Sequence, residues 1–231
     1  MQWSHRQPIG PWGYVDRLRL RRSALRYASR GWAVIPGAYL SGDRFACGQP
    51  GCPITGGHPA IESFPDDASA DPAQVARWWR RHPYTVLLAT GGKFDALEVP
   101  AVVGLRVLGA VRLHADVLGP ERGDVRGPVL VTPAGRWHFL VRPGADLRPE
   151  LAEDPDILRH TRGSWIPAAP SRTPQGPIRW AVSPDQTRWH LPDPAAVQAM
   201  LLDALTAVGK RPPLTVRASV PRQLSTARRA A

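Results

Sequence analysis

The chain has 231 residues with a hydrophobic fraction of 43%, which suits one compact domain with a substantial core and excludes disorder throughout. A formal charge of +11 and a sequence pI near 11.0 favour a polyanionic partner, nucleic acid before membrane, since no long apolar span or basic amphipathic anchor stands out. The competing explanation of that charge is an Arg-, Ala- and Pro-rich composition inherited from a GC-rich genome. Two cysteines cannot build a disulfide framework and Met1 to Gly13 lacks an apolar signal core, so the expectation is a reducing cytoplasm.

Residues 1–15 read as an irregular lead-in, rich in Trp, Pro and Gly. A helix is predicted from Asp16 to Arg30, with Leu18, Leu25 and Ala28 at helical spacing and arginines, Arg22 and Arg26 among them, on the other faces. A solvated basic face is the plainer reading of those arginines, and phosphate contact the sharper one. Trp32 to Ile35 is a first strand closed by Pro36. The excursion over 37–65 carries Cys47, Cys52 and His58 at a spacing that suits tetrahedral zinc with three protein ligands; two free thiols in a loop is the competing reading. Asp71 and Pro72 mark a helix N-terminus, and Pro83 its end, with Trp78 or Trp79 anchoring it.

Short apolar runs bounded by Gly and Pro follow, and read as strands of a buried sheet: Val86–Ala89, Ala96–Val99, Val129–Val131 and Trp137–Val141. Val102 to Leu118 between them reads as a helix. Polar residues at strand ends are where sites are built, which singles out Glu98 and His138. Later strand pieces are expected at 156–159, 165–166 and 178–182. Val197, Met200, Leu201, Leu205 and Val208 predict a last helix over 194–208. The tail over 209–231 holds six basic residues and no acidic one, reads as disordered, and offers Lys210 and Arg211 to phosphates. Strands and helices without strict alternation imply an α+β domain over 16–208, with a mixed central sheet flanked by helices and a small Cys/His loop.

Several landmarks occur in one order: Tyr27-Ala28, Gly31-Trp32, Cys47 with Cys52 and Gly57-His58-Pro59, Asp71-Pro72, Trp78-Trp79, Thr90-Gly91, Glu98, Thr132 to Gly135 with His138, and Ala169-Pro170-Ser171. In these the chain resembles the bifunctional DNA primase/polymerase (prim-pol) family of the archaeo-eukaryotic primase superfamily, over roughly 20–185. The resemblance implies template-directed nucleotidyl transfer with two Mg²⁺ or Mn²⁺ ions held by an aspartate pair and a third carboxylate. It puts the first aspartate on Glu98, the second on Pro100, and the third carboxylate on Asp156, with Asp154 as a competitor. It implies that Gly135, Arg136 and His138 lie at the nucleotide triphosphate, with Ala134 where the family has serine and Arg136 where it has glycine. It also implies zinc on Cys47, Cys52 and His58, with Phe45 in place of a further cysteine.

Pro100 has no side-chain ligand, so the expected protein binds DNA, with low sequence specificity, and nucleotides, while its transfer chemistry is impaired or lost. The alternative is an active, divergent primase/polymerase using Glu98, Asp95, Asp154 or Asp156 in a rearranged metal site. A weaker one is a non-catalytic structural partner in a replication or mobile-element complex. The sequence carries no helicase motor, so any unwinding partner is expected to be a separate protein.

Overall fold

The computed structural model describes residues 11–80, 82–118 and 125–209, with the side chains of 11–14 and 113–118 outside the description. Among the described residues five helices and twelve strands alternate irregularly. The first helix, α1 (Pro11–Ser29), starts with proline at its first position, where the missing N–H is no loss, and ends before Gly31. Residues 11–15, expected to be irregular, therefore belong to this helix. Strands β1 (Val34–Gly37), β2 (Tyr39–Ser41) and β3 (Arg44–Ala46) follow, the last two forming a hairpin. Helix α2 (Pro72–Trp78) is capped by Asp71, whose carboxylate accepts from the Ala73 and Gln74 N–H groups. Beyond it, Trp79 is fully buried and donates its indole N–H to the Tyr84 carbonyl, so Trp79 is the anchor.

Strands β4 (Thr85–Ala89) and β5 (Asp95–Pro100) lead directly into α3 (Ala101–Leu118). A proline suits this junction, since it donates nothing to the ladder and is tolerated where a helix begins. Strands β6 (Val129–Val131) and β7 (Arg136–Val141), the short helix α4 (Pro149–Ala152), strands β8 (Leu158–His160), β9 (Trp165–Pro167), β10 (Arg172–Thr173), β11 (Gly176–Pro177) and β12 (Arg179–Val182), and helix α5 (Pro194–Gly209) complete the order.

The strands resolve into a three-stranded sheet, β1-β4-β9, and a five-stranded sheet, β12-β6-β7-β5-β8, beside two small hairpins. Every pairing of the ladders is antiparallel. The single mixed sheet expected from sequence is thus corrected to two antiparallel ones. Hairpin β6–β7 and the long returns before β8 and β9 bring each strand back alongside its neighbour in the opposite sense.

The larger sheet is buried on both faces over much of its extent, which is why its strands read as continuous apolar runs. Leu97, Val99, Trp137, Phe139 and Val141 turn to one core with Val103 and Val107 of α3 and Val197 and Leu201 of α5. Gly104 is dictated by that packing, since a Cβ there would fall 2.6 Å from the Trp137 ring. Ala96, Leu130 and Leu140 turn the other way, into a second core shared with α1, α2 and the smaller sheet. At its centre Trp32 is 2% exposed and touches Tyr27, Phe94 and Trp189; burying a ring this large contributes about 3 kcal/mol. Ser171 of the Ala-Pro-Ser landmark braces β4, its hydroxyl accepting from the Val86 N–H at 2.7 Å.

Among the described residues no helix is long and apolar enough to cross a membrane. The basic tail, with Lys210 and Arg211, and residues 1–10 lie outside the described residues.

Candidate functional site

Alternation along β5 decides what the site can contain. Ala96, Glu98 and Pro100 share one face of the strand and Asp95, Leu97 and Val99 the other. Glu98 is cross-strand from His138 on β7, and Pro100 is cross-strand from Arg136. On the opposite side β8 brings His160 level with Ala96 and Leu158 level with Glu98. Glu98 and His138 therefore lie on neighbouring strands and point to one place, at the margin of the core containing Ala96 and Leu140.

Arg136 reaches that place because of the turn before it. Gly135 takes a φ of 75° and its N–H donates to the Thr132 carbonyl at 3.0 Å, while the Thr132 N–H donates to the Arg136 carbonyl at 2.9 Å. This is a tight hairpin closed by a left-handed glycine. From its foot the Arg136 Nε donates to Glu98 Oε1 at 2.6 Å, and its Nη2 donates to the Asp156 carbonyl at 2.5 Å. The other oxygen, Oε2, lies 2.6 Å from His160 Nε2 and 3.3 Å from His138 Nε2. His160 Nδ1 is 2.9 Å from Ser164 Oγ. The His138 Nδ1 is buried without a hydrogen-bond partner.

Burial, the largest influence on Glu98, pushes its carboxyl up. The hydrogen bonds from His138, His160 and Arg136 outweigh it and hold the group well below the ordinary carboxylate range. Burial pushes His138 down from its usual value, against the pull of Glu98. At neutral pH Glu98 is thus ionised and a neutral His138 donates to it, with the Arg136 guanidinium cancelling the carboxylate charge.

The remaining candidates are more scattered. Asp156 is exposed and gives Arg136 its backbone carbonyl, while its own N–H is held by Asp154 Oδ1. Asp95 is buried on the other face, with Oδ2 accepting from the Gly144 N–H at 3.3 Å. Among the described residues the cluster able to share a cation here is Glu98, His138 and His160, with one carboxylate only. Mg²⁺ demands octahedral oxygen ligation, and a two-ion clamp needs bridging carboxylates. The pair of ions implied by the resemblance does not fit this donor set. His160 was not read from the sequence; its only signal was a histidine beside a predicted strand.

In the excursion, Cys47, Cys52 and His58 bring their ligand atoms within 4.8 Å of one another. Cys52 Sγ lies 3.5 Å from His58 Nε2, and His58 Nδ1 is held by the Gly56 carbonyl at 2.8 Å. That bond fixes the tautomer whose Nε2 faces the thiols, as metal-ligating histidines usually require. A backbone bond from the Ala38 N–H to the His58 carbonyl ties the loop to the end of β1. Phe45 lies against Gly57, filling space beside the cluster.

On α1 Arg19 and Arg22 are exposed, whereas Arg26 is ion-paired with Asp185, and Arg30, just past the helix, lies 5.2 Å over the Trp189 ring. Exposed Arg77 and Arg80 lie on or just beyond α2, which packs against α1.

No curated protein matches the chain. The profile of the family described as bifunctional DNA primase/polymerase, N-terminal, matches residues 24–222, covering both clusters and all twelve described strands. The chain belongs to the bifunctional DNA primase/polymerase family.

Proposed function

We propose that this protein is a DNA- and nucleotide-binding member of its family in which template-directed nucleotidyl transfer is impaired or lost. One observation carries the reading: Glu98, the one carboxylate of the β5–β7–β8 cluster, is neutralised by Arg136, and its neighbour on the same face is Pro100. Two-metal transfer needs carboxylates to gather divalent cations around the attacking and leaving oxygens. Here a guanidinium occupies the carboxylate edge instead. A fixed cation beside a glycine turn still suits a triphosphate, whose oxygens compete with Glu98 for Arg136.

DNA is bound through the exposed arginines of α1 and α2, with the basic tail adding to them. With about four phosphates neutralised, affinity is expected to fall on the order of a hundredfold between 50 and 200 mM salt. Arg19→Gln with Arg22→Gln should reduce the slope of log affinity against log salt by about 2. Fluorescence anisotropy with labelled single- and double-stranded DNA reads both effects. Salt-independent affinity, or no binding at low salt, contradicts the reading.

The Cys47, Cys52 and His58 cluster holds one Zn²⁺ through three protein ligands, with a fourth position open. Metal analysis of freshly purified protein is expected to find zinc that is lost in Cys52→Ser. Freely titrating thiols with no zinc would remove this part of the account.

A further inference from the structure

We propose that Glu98, His138 and His160 form a site for one divalent transition ion of the Zn²⁺ or Co²⁺ class, in place of a pair of Mg²⁺ ions. The inference is independent of whether the protein binds DNA. Three adjacent strands supply the donors: His138 from β7, Glu98 from β5 and His160 from β8. Their ligand atoms lie within 4.8 Å of one another, with Glu98 Oε2 3.3 Å from His138 Nε2 and 2.6 Å from His160 Nε2. Neighbouring ligands around a tetrahedral ion with bonds of about 2.1 Å stand about 3.4 Å apart. Small side-chain shifts within the existing strands therefore suffice to seat the ion.

The donor chemistry selects the ion. Two imidazole nitrogens and one carboxylate oxygen suit zinc, cobalt or nickel, whereas Mg²⁺ prefers oxygen ligands throughout. The surroundings already hold two of the three donors, His160 and Glu98, as metal ligands are held. The Ser164 hydroxyl at His160 Nδ1 orients that ring so that Nε2 points at Glu98. Arg136 holds Glu98 Oε1, which leaves Oε2 for a single-oxygen contact with the ion. When a metal takes His138 Nε2 in place of its bond to Glu98, the ring proton sits on the buried Nδ1, which has no partner; His138 is therefore the ligand of the three without a hydrogen bond behind it. The cluster is reachable, since the His160 side chain is 19% exposed and that of Glu98 13%.

The test uses Co²⁺ as the probe, in chelator-stripped Cys47→Ser/Cys52→Ser protein so that the thiol cluster does not contribute. The expected result is one Co²⁺ per chain by equilibrium dialysis. It should show the intense visible bands of a low-coordinate nitrogen–oxygen site, without thiolate charge transfer. Zn²⁺ should abolish the bands and a large excess of Mg²⁺ should not. Ser164→Ala, which touches no ligand atom, should weaken Co²⁺ binding at least tenfold, and His160→Gln should remove the bands from protein whose circular dichroism is unchanged. In the unsubstituted protein two Co²⁺ per chain are expected, only one of them with thiolate charge transfer. No Co²⁺ bound in the cysteine variant, the weak spectrum of a fully hydrated ion, displacement by Mg²⁺, or affinity unchanged in both Ser164→Ala and His160→Gln would overturn the proposal.

Discussion

Glu98→Ala is expected to lower the unfolding free energy of the metal-free protein by about 3 kcal/mol, the lower end for breaking a buried ion pair. For a chain of this length that moves Tm down by roughly 10 °C. The substitution strands three donors at once: Arg136 Nε, His138 Nε2 and His160 Nε2, each bonded to the same carboxylate. The lower end applies because the Arg136 side chain is 25% exposed and water can replace part of what it loses. The effect should depend on pH with a definite sign. The folded-state pKa of Glu98 is depressed below its unfolded value of 4.5, so its stabilisation is complete above that value and declines below it. The gap between the two proteins, measured by denaturant titration, should therefore be full at neutral pH and narrow below about pH 4.5. A gap near zero at neutral pH, or one that widens in acid, would show that Glu98 is not the hub of the cluster.

Primer synthesis should not return with Pro100→Asp alone, and should return with Pro100→Asp combined with Arg136→Gly. Position 100 is directly cross-strand from position 136, on the face that carries Glu98. A new aspartate there meets the guanidinium first and is neutralised, as Glu98 is now. Replacing Arg136 by glycine, the residue the family resemblance implies at that point, leaves two carboxylates without a competing cation. Their mutual repulsion then favours a divalent ion between them. Groups sharing a metal act as a unit, so the two substitutions are expected to be strongly non-additive. Primer extension with labelled template reads the result. Equal recovery with Pro100→Asp alone would show that Arg136 is no obstacle. A folded double variant with no product would place the loss in the third carboxylate, where Asp156 offers its carbonyl.

What was legible in the sequence follows from how far each signal reaches. The Asp71 cap is local, since its bonds end within three residues, and it was read directly. Strands β5 and β7 are buried on both faces, so their apolar runs named them, and the polar interruptions Glu98 and His138 named the site. The start of α1 was not legible, because Pro11 and Gly13 look like loop residues until proline is recognised at a first helical position. His160 was missed for a different reason: it lies 62 residues from Glu98 on a three-residue edge strand and meets it only through the β5–β8 register. The resemblance places Arg136 at a nucleotide; only the cross-strand diagonal to Glu98 reveals that its guanidinium bonds that carboxylate. Antiparallel closure of both sheets likewise depends on long returns that leave no periodic trace.

The most direct test of the proposed loss of two-metal transfer is a primer-extension and de novo primer-synthesis assay on the unmodified protein, run with Mg²⁺ and with Mn²⁺. The account predicts no product, or only traces, with either ion. Robust synthesis that Glu98→Ala abolishes would contradict it.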